Sequence, residues 1–333
     1  MFLRIFLLLV LFAALIGGGG TWYVLDEFDA PGPVAANGQP ETVVSVPMGT
    51  GLNQVAELLE QSGVIRDSFV FRVGVVVSRK AAALKAGEYA IPSQASPSQV
   101  MQILIGGKSI VYKVTVAEGL TSAMIVSLIN THPILTGELK EVPAEGSLLP
   151  ETYIFNRGTT RLSLITRMQE DHNRVVDELW ETRTPNLPIA TKLEAVTLAS
   201  IVEKETGVAS ERPRVAAVFV NRLRKGMKLQ SDPTIIYGLT KGVPLGRGIR
   251  QSELAKATPY NTYVITGLPP SPIANPGKAS LAAAMNPAPT QDLYFVADGT
   301  GGHVFAATLE EHMKNVQKWR AIERQRAAAN VPR

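Results

Sequence analysis

The sequence predicts an α+β protein with a single amino-terminal transmembrane helix, a small α/β module and a larger mixed α/β domain. Three observations support this fold class. An uncharged stretch fills residues 5–25, short strand-then-helix patterns follow it, and longer helical patterns occupy the second half of the chain. The chain has 333 residues, of which 45% are hydrophobic and 19% are charged. That length and composition provide enough apolar material for about two folded domains.

The apolar stretch Ile5–Leu25 predicts a membrane anchor. At about 1.5 Å of rise per residue, a helix over this stretch would cross the hydrocarbon core of a bilayer. Arg4 precedes the stretch and acidic residues follow it, so we expect the amino terminus in the cytoplasm and the remaining chain on the exported side. A cleaved signal peptide is the alternative, because residues 7–16 also fit a signal-peptide core.

Composition and periodicity divide the chain into five segments. Residues 1–28 comprise the cytoplasmic start and the anchor, and residues 29–40, rich in Pro, Gly and Ala, predict a flexible linker. Repeated strand–turn–helix patterns predict the small α/β module over residues 41–142. The second domain is expected over residues 143–325, and residues 326–333 form a basic tail. These patterns leave open whether the small module binds a ligand.

Composition also excludes several classes of function. The sequence contains no cysteine and only four scattered histidines, which rules out thiol chemistry and makes a metal site unexpected. Neither a phosphate-binding GxxxxGK[ST] loop nor a GxSxG nucleophile elbow is present. The net charge of +4 is spread along the chain, and the basic tail follows an exported domain. We therefore expect no metal, no cofactor and no nucleic-acid partner.

One strongly predicted helix carries two candidate acids. It begins at Thr191 and stops at Gly207, and apolar residues cover almost its whole circumference, which predicts burial. Glu203 lies on the same flank as Val196 and Ala199. Burial and the negative end of the helix dipole favour a protonated carboxyl there, and a general acid needs such a proton.

The helical wheel does not decide between this acid and its neighbour. Glu205 lies on another apolar flank and qualifies for the same role. A purely structural interpretation is also open, in which both are helix-end carboxylates that pair with Lys204, Arg212 or Arg214.

A dense series of polar and aromatic residues follows this helix, in LQSDPTIIYG (229–238) and TPYNTYVITGLPPSPIANPG (258–277). Amide and carboxylate groups bind hydroxyl and acetamido groups, and flat rings stack on pyranose faces. The series therefore indicates sugar recognition, although a structural role remains open for any single residue. The candidates for positioning a sugar are Asn221, Gln230, Asp232, Tyr237, Asn261 and Tyr263.

Six motifs occur in a characteristic order: EGSLLPETY, LASIVEKET, VFVNRL, LQSDPTIIYG, YNTYVITGLPPSPIANPG and LYFVADGTGGHVF. With them the sequence resembles the endolytic murein transglycosylase (YceG-like) family, from the anchor to near residue 320. The resemblance implies a single-pass inner-membrane protein with a periplasmic LysM-like module and a catalytic domain. It implies cleavage of nascent peptidoglycan strands between N-acetylmuramic acid and N-acetylglucosamine, with peptidoglycan synthases as neighbours.

The resemblance also assigns the catalytic acid. The family's catalytic glutamate is the first acid of the IVEKE motif, which is Glu203 here. The implied reaction forms a 1,6-anhydro ring on the muramic sugar and needs no water nucleophile. Asp232 as a second catalytic carboxylate would instead favour hydrolysis, so a hydrolytic muramidase is one alternative. A non-catalytic scaffold that binds peptidoglycan is the other.

Overall fold

A computed structural model describes residues 22–329 and shows a mixed α/β protein with two compact units. The first unit comprises the described residues up to Lys113 together with Ile154–Thr159. The second comprises Val114–Tyr153 and the described residues from Thr160 onward. The mixed α/β character agrees with the predicted fold class.

The helices and strands alternate as the sequence patterns predict in the first third of the chain. In order, they are β1 (Glu41–Val46), α1 (Leu52–Gln61), α2 (Ser68–Val77), β2 (Gly87–Pro92), α3 (Pro97–Gly106), β3 (Tyr112–Thr115) and α4 (Ser122–Asn130). Helix α2 is an addition to the predicted strand–helix pairs.

The first unit has its own core. Strand β1 pairs antiparallel with β2, in a register that runs from Glu41 opposite Pro92 to Val46 opposite Gly87. Alternate strand residues such as Val44 and Tyr89 point inward, where they meet the buried faces of α1, α2 and α3. Helix α3 begins at a capping box, in which the side chains of Ser96 and Gln99 bond each other's backbone N–H groups.

The remaining elements belong mainly to the second unit. They are β4 (Thr152–Phe155), α5 (Arg161–Glu181), α6 (Lys192–Glu205), α7 (Arg212–Arg224), α8 (Asp232–Thr240), α9 (Gln251–Leu254), α10 (Lys278–Met285), β5 (Tyr294–Ala297), β6 (His303–Ala306) and α11 (Leu309–Ala329). Strand β3 pairs with β4, and β5 pairs antiparallel with β6.

Helix α6 lies at the centre of the second unit. Every residue from Ala195 to Val202 is buried, and α7 and α10 pack against this helix. Thr191 and Glu194 form the capping box that starts the helix. At Thr206 the backbone has an extended conformation, and the helix ends before this residue. The predicted buried helix is therefore confirmed. Its last turn carries both candidate acids.

The compact units divide the chain at a different point from the predicted domains. The first division falls between Lys113 and Val114, whereas the predicted second domain starts at residue 143. The physical reason lies in the turn after β3. Gly119 donates its N–H to the carbonyl of Asn275, and Asn275 donates its own N–H to the carbonyl of Leu120. These bonds join the turn to the second unit.

The segments predicted as linker, tail and anchor have different outcomes. Within the predicted flexible linker 29–40, Gly32, Pro33 and Ala35 form hydrogen bonds with the loop at Ser93 and Gln94, so this part of the chain is held on the first unit. The predicted tail begins inside α11, and residues 330–333 lie outside the described residues.

Most of the predicted anchor, residues 5–21, also lies outside the described residues. Between residues 22 and 329, none of the helices is both long enough and apolar enough to span a bilayer.

Replacement of Leu198 by Ala should destabilise the second unit, because this side chain is fully buried in α6. We expect a loss of about 2–5 kcal/mol in the free energy of unfolding, measured by urea denaturation. Leu193→Ala is the matched control, since Leu193 lies on the same helix and is 57% exposed. Equal losses in the two variants would contradict the buried position of α6.

Candidate active site

Glu203 lies in the last turn of α6 with only 5% of its side chain exposed. Its carboxylate accepts two hydrogen bonds. Arg212 Nη2 donates to Oε1 at 3.1 Å, and the backbone N–H of Gly277 donates to Oε2 at 3.0 Å. Gly277 caps the amino terminus of α10, so the positive end of that helix also faces the carboxylate. The starts of α7 and α10 therefore meet the end of α6 at this carboxylate.

Arg212 joins this carboxylate to a second one. It is the first residue of α7, and only 10% of its side chain is exposed. The same nitrogen that contacts Glu203 donates to Glu118 Oε2 at 2.8 Å. The structural alternative, in which a helix-end carboxylate pairs with Arg212, therefore describes Glu203. This pair is buried, and Arg212 also binds the second carboxylate. One guanidinium holds two carboxylates.

A tight turn after β3 brings Glu118 to this position. The next residue, Gly119, has φ +77°, a left-handed conformation that favours glycine. Glu118 lies directly against Gly277, where an added Cβ would overlap the Glu118 carboxylate. A side chain at position 277 would therefore have to displace the second carboxylate.

Asn275 fixes the loop that carries Gly277. This side chain is fully buried. Its Nδ2 donates to the Leu120 carbonyl, the Ser122 hydroxyl and Glu145 Oε1, and its Oδ1 accepts the N–H of Leu148. All of the hydrogen-bonding capacity of the amide nitrogen is used within the protein, so the residue is a structural support.

Glu145 connects this support to an aromatic residue. Burial raises the pKa of Glu145, and hydrogen bonds from Ser122 and Tyr237 act in the opposite direction. The Tyr237 hydroxyl donates to Glu145 Oε2 at 3.1 Å, and the Tyr237 ring lies 4.9 Å from that of Tyr260.

A cleft of about 260 Å³ lies beside these residues, slightly smaller than the usual range for small-molecule sites. It is lined by Gly119, Thr121, Lys204, Pro233, Ile236, Tyr237, Gly242, Pro244 and Ile273. The cleft is next to Glu203. The lining residue Lys204 directly follows Glu203 in α6, and a Cβ added at the lining residue Gly119 would lie 3.6 Å from Glu203 Cγ. Lys204 also donates to the Gly119 carbonyl at 3.3 Å.

Glu205 lies in a separate polar environment. Ser231 Oγ donates to Glu205 Oε1 at 2.5 Å. Burial raises the pKa of Glu205 to about 7, with a further rise from the charge of Asp232 and opposing effects of Ser231, His303 and Arg222. Burial thus lets Glu205 keep its proton up to about pH 7. Glu205 contacts Ser231, whereas Lys204 is the residue of this turn that lines the cleft.

Two predicted sugar-binding residues have contacts within the protein, and their role in sugar binding stays a prediction. Asn221 donates both amide hydrogens to backbone carbonyls, those of Thr290 and Asp292. Asn261 is fully buried and donates to the carbonyls of three residues between 253 and 256, while its Oδ1 accepts the N–H of Tyr263. Both amides satisfy carbonyl groups of irregular loops.

The other four candidates have different positions. Tyr237 lines the cleft. Asp232 and Tyr263 contact each other, with the Tyr263 hydroxyl donating to Asp232 Oδ1 at 2.7 Å. Gln230 is exposed and has a left-handed backbone with φ +51°. Asp232 therefore pairs with Tyr263 and not with the Arg212 group. A sugar-binding role for these four residues stays a prediction.

The sequence patterns miss Glu118, Asn275 and Gly277 as site residues. Glu118 falls in the predicted small module, and only the Glu-Gly pair directly after a strand marks it. The Asn-Pro-Gly sequence at 275–277 predicts a loop and does not indicate a site. Among residues 22–329, no group of three or more His, Cys, Asp or Glu side chains is arranged to hold a metal ion.

The chain is a mixed α/β protein in which a buried glutamate at a helix end is held by an arginine and a helix amino terminus beside a cleft. The sequence model of the YceG-like family matches residues 44–318, and the chain belongs to this family.

Named relatives and a solved structure agree with this membership. An endolytic murein transglycosylase of Bacillus subtilis is 30% identical over 320 residues, which cover 86% of this chain and 87% of the relative. One of Streptococcus pneumoniae is 28% identical and covers 92% of this chain but 63% of the longer relative. The crystal structure of a YceG-like protein from Listeria monocytogenes superposes with a TM-score of 0.50 at 29% identity, over 83% of this chain and 98% of that one.

Glu205→Gln should change how stability depends on pH. In the unfolded chain Glu205 ionises near the ordinary glutamate pKa of 4.5, whereas burial in the folded protein raises its pKa to about 7. Its contribution to stability is therefore complete below pH 4.5 and is lost as the pH rises to 7, by about 3 kcal/mol.

We expect the Gln variant to lose less stability than the wild type across this range, measured as free energy of unfolding at several pH values. Glu170→Gln, at an exposed glutamate of α5, is the control and should follow the wild type. The same slope in Glu205→Gln and the wild type would contradict a buried neutral Glu205.

Proposed function

We propose that this chain is an endolytic murein transglycosylase, a lytic enzyme that cuts peptidoglycan glycan strands internally. Membership of the YceG-like family over residues 44–318 supports the proposal, as do relatives of that name that cover most of the chain. The observation that carries it is the position of Glu203, a buried carboxyl held beside a cleft that can take part of a sugar chain.

The proposed reaction uses Glu203 as acid and then as base. Its proton passes to the oxygen between muramic acid and N-acetylglucosamine, and the bond from muramic C1 to that oxygen breaks with its electron pair on the oxygen. The C6 hydroxyl of the same muramic sugar attacks C1 and returns its proton to the Glu203 carboxylate. The products are a 1,6-anhydro-muramic end and a free N-acetylglucosamine hydroxyl, so atoms and charge balance without water. Attack within one sugar gains from proximity.

The structure offers less support for a hydrolytic muramidase. A water-activating carboxylate would have to act at the same bond as Glu203, and Asp232 is instead paired with the Tyr263 hydroxyl. Among the predicted sugar-binding residues, Tyr237 has the best position for the proposed reaction, because its ring lines the cleft.

We also propose that the enzyme is a single-pass inner-membrane protein with its catalytic domain in the periplasm. The uncharged stretch Ile5–Leu25 and the preceding Arg4 support this orientation. The compact first unit supports a separate LysM-like module in front of the catalytic domain. An anchored enzyme would cut strands close to the membrane, where peptidoglycan synthases extend them.

Glu203→Gln should abolish the formation of anhydro ends, because the amide has no proton of the required acidity. We expect a loss of at least about 100-fold in the rate at which purified glycan strands are cleaved. Mass spectrometry of the products measures both the rate and the chemistry of the new ends. Glu170→Gln serves as the control for removal of an exposed charge. Reducing muramic ends in place of anhydro ends would identify a hydrolase.

The full-length chain should remain in the membrane fraction after carbonate washing, with an intact mass that includes residues 1–28. The reason is the length of the uncharged stretch, which matches a bilayer core. A protein that is released by carbonate and begins after residue 16 would instead support the cleaved signal peptide.

A further inference from the structure

Two carboxylates share one cation at the proposed cleavage site. Glu118 and Glu203 both accept from Arg212 Nη2, at 2.8 Å and 3.1 Å, so the two carboxyl groups are neighbours. The group carries a net charge of −1 when both acids are ionised. Because like charges repel, two carboxylates this close depend on the cation between them.

The two acids differ in exposure and in their distance from Arg212. The Glu203 side chain is 5% exposed and that of Glu118 is 40% exposed. Glu118 also makes the shorter of the two contacts with Arg212.

The charged and titratable groups around the pair are few among the described contacts. Arg212 extends from the start of α7, and Lys204 of α6 contacts the carbonyl of Gly119. The Gly277 N–H at the start of α10 faces Glu203. Glu211 precedes Arg212 in the chain but pairs with the imidazole of His303 at 2.7 Å.

We propose that Glu118 is a positioning residue for the cleavage reaction, because its carboxylate holds Arg212 in place beside Glu203. This inference rests on the proposed function. Glu118 neither gains nor loses a proton in the cycle, so the balance of the reaction is unchanged. The two acids that the sequence offers as assistants, Asp232 and Glu205, contact Tyr263 and Ser231 instead.

The experiment measures initial rates of anhydro-end formation from purified glycan strands between pH 5 and pH 8. It compares the wild type with Glu118→Gln, Glu118→Asp, Glu203→Gln and the exposed control Glu170→Gln. Thermal unfolding of each protein checks that the fold is intact.

For Glu118→Gln we expect a kcat about 10-fold to 100-fold lower at neutral pH, with KM nearly unchanged. The reason is that Arg212 then contacts Glu203 alone and is no longer held by the turn after β3. Glu118→Asp keeps the charge and should recover most of the rate. A role only in folding would not lower kcat at a nearly unchanged KM in a folded variant.

Three outcomes would overturn the inference. In the first, Glu118→Gln matches Glu170→Gln in rate and pH profile while Glu203→Gln is inactive, in which case the proposed function stands. In the second, Glu118→Gln fails to fold and a folded Glu118→Asp is as inactive as Glu203→Gln, so that the charge is not what matters. In the third, the wild type makes no anhydro ends, and the proposed function fails together with the inference.

Discussion

The site depends on one buried cation that must be paired. Arg212 has little contact with water, and an unpaired guanidinium there would be costly. Its two partners come from separate parts of the chain, the turn after β3 and the end of α6. Because a single nitrogen contacts both carboxylates, the position of each acid is set by the other. The arrangement fixes the start of α7 against the end of α6 at the point where the chemistry is proposed.

A second layer of hydrogen bonds keeps this arrangement rigid. The loop before α10 is tied to α6 through Ser200, whose hydroxyl accepts the N–H of Ile273, and to the turn after β3 through Asn275. The Asn275 amide reaches Glu145, and Glu145 reaches Tyr237 in the cleft. A site held by such supports needs little reorganisation when a charge develops in the reaction.

Two glutamates two residues apart on one helix have different environments. Glu203 accepts hydrogen bonds from Arg212 and Gly277. Glu205 accepts one from the Ser231 hydroxyl, and burial raises the pKa of its carboxyl to about 7. The surroundings thus give the same residue type two different properties at the end of one helix.

The sequence by itself determined the elements with local signals. Helix α6 has a capping box, an apolar circumference and a glycine after its end, and the strand–helix pairs of the first third follow from their periodicity. The motifs around Glu203 also led to the family. Only the tertiary structure decided which groups surround Glu203. Glu118 and Gly277 are 94 and 74 residues from their partners, and no local pattern encodes such a contact. It decided as well which backbone carbonyls Asn221 and Asn261 bind, because irregular loops leave carbonyls that a nearby amide can satisfy.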